Sequence, residues 1–170
     1  MKRILAISGS ASENSSNEQL LSAIAKTFAD RFQFEIYGQL STMPLFTPAR
    51  LKAGVPSAVS ELKKLVLEAD AVIISTPEYL HNIPAVLKNA LEWMTESGEL
   101  AEKPVLPIIF TPHAPRGQYA MISLLQSLKA SKSKVVAELP LYQNQLRSQD
   151  GEIELDEDVC LMLSEALNLL

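Results

Sequence analysis

The chain has 170 residues, of which 47% are hydrophobic and 21% charged, with a net charge of −5; this fits a single globular domain spanning residues 1–170 with an ordinary core. Mixed charge with a slight acid excess argues against nucleic acid as a partner, since such partners select basic patches, and it is too mild for a disordered acidic tail. Cys160 is the only cysteine, which excludes an internal disulfide, and its apolar helical setting reads as a small core residue.

The N-terminal sequence Met1-Lys2-Arg3 leads into an apolar run that stops at Ser8. It is too short for a signal peptide or a membrane span, so the cytoplasm is the expected compartment and no membrane partner is expected. That run, Ile4 to Ile7, reads as a buried strand meeting a turn at Ser8-Gly9-Ser10. Leu20, Leu21, Ile24, Ala25, Phe28 and Phe32 then follow helical spacing. Phe34-Glu35-Ile36-Tyr37 alternates as a short strand, and residues 38–54, broken by Pro44, Pro48 and Gly54, read as loop.

A second helix is striped by Val59, Leu62, Leu65, Val66 and Ala69. Ala71-Val72-Ile73-Ile74 is the unbroken apolar run of a strand covered on both faces. Ile83, Val86, Leu87, Ala90, Leu91 and Met94 mark a third helix. Residues 105–110 form a fourth strand in which Pro107 cannot donate a ladder bond, so pairing begins at Ile108 or the ladder contains a bulge. Met121, Leu124, Leu125 and Leu128 make a fourth helix, Val135-Val136-Ala137 a fifth strand, and Val159, Leu163, Ala166, Leu167 and Leu170 a last helix.

Strands alternating with helices imply right-handed crossovers and a doubly wound parallel sheet with helices on both faces. Ligands of such sheets sit beyond the carboxyl ends of the strands, next to the point where strand order reverses. The loops to inspect are therefore residues 8–17, 75–83 and 111–117.

The first loop carries five serines and two asparagines ahead of an apolar helix. Unpaired amides at a helix N-terminus favour an anion, and hydroxyl and amide side chains add neutral donors. Capping accounts for Ser15 with Glu18, or Ser16 with Gln19, but not for Ser10, Ser12 and Asn17. With Gly9 as its only glycine, the loop is neither a dinucleotide turn nor a Walker A loop. A terminal phosphomonoester fits it. In the second loop Pro77 and Pro84 stiffen both ends, Asn82 or Ile83 can cap the next helix, and Tyr79 offers an aromatic surface to a flat heterocycle.

Residues 9–17 resemble the G-S-x-R-x-x-S-x-N loop of the NADPH-dependent FMN reductases. Pro77-Glu78-Tyr79 and the run from Pro84 to Trp93 are similar to that family's P-E-Y-N-x-S-x-P-G-x-L-K-N-A-[IL]-D-W segment. The resemblance covers about a fifth of the chain. It implies a flavodoxin-like fold with five parallel strands in the order 2-1-3-4-5, bound FMN, NAD(P)H as reductant, a homodimer or homotetramer, and hydride passed through the flavin to FMN, a quinone or a similar small-molecule acceptor. It further implies that Ser10, Ser12, Ser15, Ser16 and Asn17 hold the phosphate. Pro77, Glu78, Tyr79, Leu80, His81 and Asn82 would line the isoalloxazine, with Thr111, Pro112 and Gly117 on its other side. The flavin N5 would carry the chemistry, so no catalytic side chain and no metal is expected. Trp93 reads as core or subunit contact.

This sequence departs from the family pattern at Ser12, where the family has arginine, at Leu80, Asn82 and Ala85, and in a third loop that is not glycine-rich. Losing one charge-assisted hydrogen bond lowers affinity about 10- to 150-fold, which implies a looser FMN site and a protein that purifies substantially free of flavin. Arg116 and Arg50 are the candidates for a replacement charge. Two other readings compete with the reductase: a relative with weakened or lost FMN binding that acts as a regulator or interaction protein, and a flavodoxin-type electron carrier. The carrier would show a T/S-x-T-G-x-T first loop and stronger acidity.

Overall fold

The computed structural model describes residues 1–149 and 152–170. The strands are β1 (Lys2–Ser8), β2 (Phe32–Tyr37), β3 (Ala71–Thr76), β4 (Pro104–Thr111), β5 (Lys134–Val135), β6 (Leu139–Tyr142), β7 (Arg147–Gln149) and β8 (Glu152–Glu154). The helices are α1 (Ser16–Thr27), α2 (Pro48–Ala53), α3 (Ser57–Glu68), α4 (Ala85–Trp93), α5 (Gln118–Ala130) and α6 (Glu157–Asn168).

The main sheet is parallel in the order β2-β1-β3-β4-β5, with β6 also on β4. β3 is buried along its whole length, as expected of a central strand covered on both faces. Alternate residues feed two cores. Leu5, Ile7, Val72, Ile74 and Ile109 pack against α3, α4 and α5 through Leu62, Leu87, Leu91 and Leu124. Ile4, Ala6, Ile73, Ile108 and Phe110 pack against α1 and α6 through Leu20, Ile24, Leu163 and Leu167. The doubly wound sheet with helices on both faces and the order 2-1-3-4-5 are as the sequence implied.

The fifth strand differs from the expected residues 135–137. It comes in two pieces, with Val105 opposite Val135 and Ile108 opposite Leu139. Three steps along β4 thus match four along its partner, which defines a bulge of one residue. The cause is Pro107. The amide of Val136 donates to the carbonyl of Val105 at 3.0 Å, so alternate residues of β4, including Pro107, face this edge. Pro107 has no N–H to give there, and the edge strand bows away. On the other side Pro107 stays in register with Ile74, so β4 is continuous.

Residues 38–54, expected as loop, contain α2. Thr47 accepts from the amide of Arg50 at 3.1 Å, Pro48 stands in the first turn, and Gly54 ends the helix at φ 127°. α4 is also capped later than expected: Pro84, not Asn82 or Ile83, precedes its first residue. A short antiparallel pair, β7 with β8, lies outside the main sheet.

Candidate functional site

The first loop leaves β1 between its neighbours β2 and β3, where strand order reverses. Gly9 is required for close approach. A Cβ there would stand 2.8 Å from Thr76 and from the Leu87 side chain, while the Gly9 amide donates to the carbonyl of Ser75 at 2.7 Å. The loop ends at α1, where the Ser15 hydroxyl accepts from the amide of Glu18 at 3.3 Å. Of the two caps the sequence allowed, Ser15 is the one used.

The predicted phosphate donors are thereby sorted. Ser10 is buried, and its hydroxyl accepts from the Ser12 amide at 3.2 Å. Asn17 is 2% exposed; its carbonyl accepts from the Ser75 hydroxyl at 2.8 Å and its amide donates to the carbonyl of Phe110 at 3.5 Å. Asn17 thus ties the ends of β3 and β4 to the first turn of α1. Ser12 is exposed, and Ser15 and Ser16 are half-buried. A hydroxyl that accepts one bond can still donate its proton, so these three, with the first-turn amides of α1, form a neutral donor set suited to a phosphate. Arg50, a candidate for a replacement charge, donates from its guanidinium to the carbonyl of Leu45 at 2.6 Å.

The second loop is a tight reversal. Tyr79 and Asn82 exchange both backbone bonds, at 2.9 and 3.0 Å, with Leu80 and His81 at φ 49° and 57° between them. Both central residues therefore adopt the left-handed conformation of a type I′ turn, which costs a residue bearing a Cβ about 1–2 kcal/mol. The Glu78 side chain is only 7% exposed and lies 3.5 Å from the His81 ring. Its carboxylate accepts from the amides of Tyr119 and Ala120, both at 3.0 Å. Glu78 is therefore the N-terminal cap of α5, supplied from another loop. The Asn82 carbonyl accepts from its neighbour Ile83 at 2.8 Å and from the Ser123 hydroxyl at 2.6 Å. The second loop is thus bolted to α5 at two points.

The third loop closes on itself: buried Thr111 donates to the carbonyl of Arg116 at 2.9 Å. Gly117 follows at φ 103°, where a Cβ would collide with Ile109 and stand 3.2 Å from the Thr111 methyl. Between this loop and the second lies a cleft of about 470 Å³ lined by Glu78, Leu80, His81, Arg116 and Tyr119, among others. Its volume suits a small aromatic ligand. Thr111 and Gly117 are buried beneath it, and Pro112 is exposed.

The segment after β6 completes the arrangement and was not anticipated. Gln143 donates to the Ser16 hydroxyl at 2.9 Å, and the amide of Asn144 to the carbonyl of Pro112 at 3.1 Å, joining the first and third loops. Only the position of Gln143 just past the edge strand could have flagged it. Trp93 is core: it is 1% exposed and donates to the carbonyl of Pro44 at 2.8 Å. His113 lies near the carbonyl of Ala114 and is exposed. Among the described residues no helix is long and apolar enough to cross a membrane.

Residues 2–145 match a family model described as NADPH-dependent FMN reductase. The NADH:(hydroxy)cinnamate reductase subunit CrdA of Vibrio ruber is 43% identical over 114 residues, covering 66% of this chain and 55% of that one; the chain thus spans about half the length of this relative. The NADPH azoreductase of a Bacillus species is 31% identical over 134 residues, covering 78% of this chain and 74% of its own. FerB from Paracoccus denitrificans, a flavoenzyme NAD(P)H:(acceptor) oxidoreductase, superposes with a TM-score of 0.80 at 21% identity, covering 99% and 95% of the two chains, and speaks to the fold.

Proposed function

The chain belongs to the NADPH-dependent FMN reductase family, and from that membership we propose that it is an FMN-binding, NAD(P)H-dependent oxidoreductase acting on a small-molecule acceptor. The observation that carries this reading is the convergence of three loops at the carboxyl end of the sheet. One is a serine-rich turn on the start of α1, and the other two wall a cleft held rigid by Glu78 and Asn82.

FMN, when bound, supplies the two-electron relay between nicotinamide and acceptor. The protein's part is to bind, orient and shield it. In this reading Ser12, Ser15 and Ser16 direct their hydroxyls to the phosphate, with the α1 amides behind them, while Ser10 and Asn17 hold the loop in shape. Pro77, Glu78, Tyr79, Leu80, His81 and Asn82 form one wall for the heterocycle and the third loop around Pro112 the other, with its buried Thr111 and Gly117 shaping the turn. Glu78 is a positioning residue, since its carboxylate is committed to the α5 amides. No side chain is required as acid, base or nucleophile.

The same reading takes residues 1–170 as one domain, working in the cytoplasm as a homodimer or homotetramer. The exposed apolar residues Tyr119 and Ile122 on α5 support a subunit contact. A second reading, a relative with weakened FMN binding that acts as a regulator, is favoured by the absence of any lysine or arginine from residues 8–17. Thermal unfolding with added FMN separates the two. A ligand at 100 times its Kd stabilises by about 2.7 kcal/mol, so the reductase reading expects a rise of several degrees with FMN in the high micromolar range. No rise would favour the regulator.

A further inference from the structure

We propose that Gln143 is a positioning residue of the phosphate site: by donating to Ser16 it leaves the Ser16 proton to the phosphate, in a loop that has no cation. The inference rests on the reductase reading above and adds to that site a residue from beyond the edge strand.

The register of the edge brings Gln143 there. With the bulge opposite Pro107 accommodated, Tyr142 stands opposite Thr111 at the end of β4. Leu139 and Leu141 point into the core shared with α1 and α6, and side chains along a strand alternate with a period of two. Gln143, two residues past Leu141, continues on that side, and its Nε2 donates to the Ser16 Oγ at 2.9 Å. The following amide, that of Asn144, donates to the carbonyl of Pro112 at 3.1 Å. The backbone that carries Gln143 is therefore fastened to the third loop while its side chain reaches the first.

The chemistry turns on what each group at the start of α1 has left to give. The amides of Glu18 and Gln19 are taken by the hydroxyl and the carbonyl of Ser15, at 3.3 and 2.9 Å. Those of Ser16 and Asn17 donate to nothing among the described residues, which leaves two N–H groups open at the positive end of a helix of 12 residues. The Ser16 hydroxyl belongs to the same first turn. A hydroxyl has one proton and two acceptor lone pairs. An N–H from Gln143 fills one acceptor position, so the proton is not spent on Gln143, and it polarises that proton toward a further acceptor. Two amides and one oriented hydroxyl then serve a single anion without a formal charge. The family pattern has its arginine at position 12 and fixes no residue at position 16. Here position 12 is serine, and the Gln143–Ser16 pair adds an oriented donor in its stead.

Fluorescence titrations with FMN and with riboflavin, which has the same ring system and no phosphate, test the assignment. They compare the wild type, Gln143→Ala, Gln143→Glu, Ser16→Ala and the double variant of Ser16→Ala with Gln143→Ala. Gln143→Ala is expected to weaken FMN about 2- to 12-fold, the loss of one neutral hydrogen bond, and to leave riboflavin within twofold. Gln143→Glu keeps the shape but accepts the Ser16 proton and brings a negative charge, so it weakens FMN more than Gln143→Ala does. In the Ser16→Ala background Gln143→Ala costs nothing further, as for two residues that act through one bond. Equal losses for FMN and riboflavin would reduce Gln143 to a strap between loops and overturn the assignment. So would additive losses in the double variant, or a Gln143→Glu protein that binds FMN as tightly as the wild type. The reductase reading fails separately. Gln143-dependent FMN binding with no bleaching by NADH or NADPH would sink that reading alone, and bleaching with an FMN affinity indifferent to position 143 would sink this inference alone. A wild type that binds no FMN overturns both.

Discussion

Glu78→Ala is expected to unfasten the cleft. The carboxylate accepts two α5 amides at 3.0 Å from a side chain 7% exposed, so solvent does little to screen the contact. Hydrogen bonds to charged groups contribute about 1.5–3 kcal/mol, and loss of a helix cap costs about 0.5–2. These overlap, because the same two amides are counted in each, so a loss of about 2–3 kcal/mol is expected. At about 2–4 °C per kcal/mol for a chain of this size, Tm falls by roughly 4–12 °C. Glu78→Gln retains an acceptor oxygen and loses only the charge. The attraction of an anion to a helix N-terminus is about 0.3–1 kcal/mol, more when partly buried, so this variant loses about 1 kcal/mol. Urea and thermal unfolding of the three proteins measure the order directly. Equal losses for Ala and Gln, or an Ala variant within about 0.5 kcal/mol of wild type, would refute Glu78 as the cap of α5.

Ser12→Arg places a cation in the neutral first loop and is expected to tighten FMN about 10- to 150-fold. Fluorescence titration measures this, and an unchanged Kd would remove Ser12 from the phosphate site. Gly117→Ala forces a Cβ into Ile109 at φ 103° and is expected to cost about 2–5 kcal/mol from overpacking and left-handed strain together, read as a shift in urea midpoint. Burial, followed by the neighbouring Glu61 carboxylate, raises the Tyr37 phenol above its ordinary value of 10.0. The folded state therefore holds its proton more tightly than the unfolded chain. Tyr37 contributes stability below about pH 10 that is lost as pH rises through its folded value. Tyr37→Phe should flatten the alkaline end of the stability curve, and identical curves for the two proteins would contradict this.

The buried parallel strands were legible because strands covered on both faces are written as unbroken apolar runs, as at Ala71-Val72-Ile73-Ile74, while their order in the sheet came from the family resemblance. The edge was harder to read. β5 and β6 are divided opposite Pro107, and although the sequence signalled a disturbance at that proline, nothing in it assigned the bulge to the partner strand. α2 carries its own punctuation, Thr47-Pro48 before and Gly54 after, but it is only six residues long and shows no apolar stripe. The site loops were legible from composition and from the resemblance. What their side chains do was not. Asn17 turns inward to bind Ser75 and Phe110, and Glu78 caps a helix that begins 40 residues later. Both are long-range pairings that no local spacing encodes. Gln143, which reaches Ser16 across 127 residues, is hidden for the same reason.

In the reductase reading this loop cluster holds FMN and lets a nicotinamide reduce it. The most direct measurement is a titration of the purified protein with FMN, followed by anaerobic addition of NADH or NADPH while the flavin absorbance is recorded. An FMN-sized ligand of about thirty heavy atoms binds with roughly 9 kcal/mol, and a cation-free loop weakens this toward a micromolar Kd. Saturable binding in the micromolar range, a preparation largely free of flavin before titration, and bleaching of the bound flavin once the nicotinamide is added are therefore expected. No saturable binding at high micromolar FMN, or bound flavin that stays oxidised in excess NADH and NADPH, would contradict it.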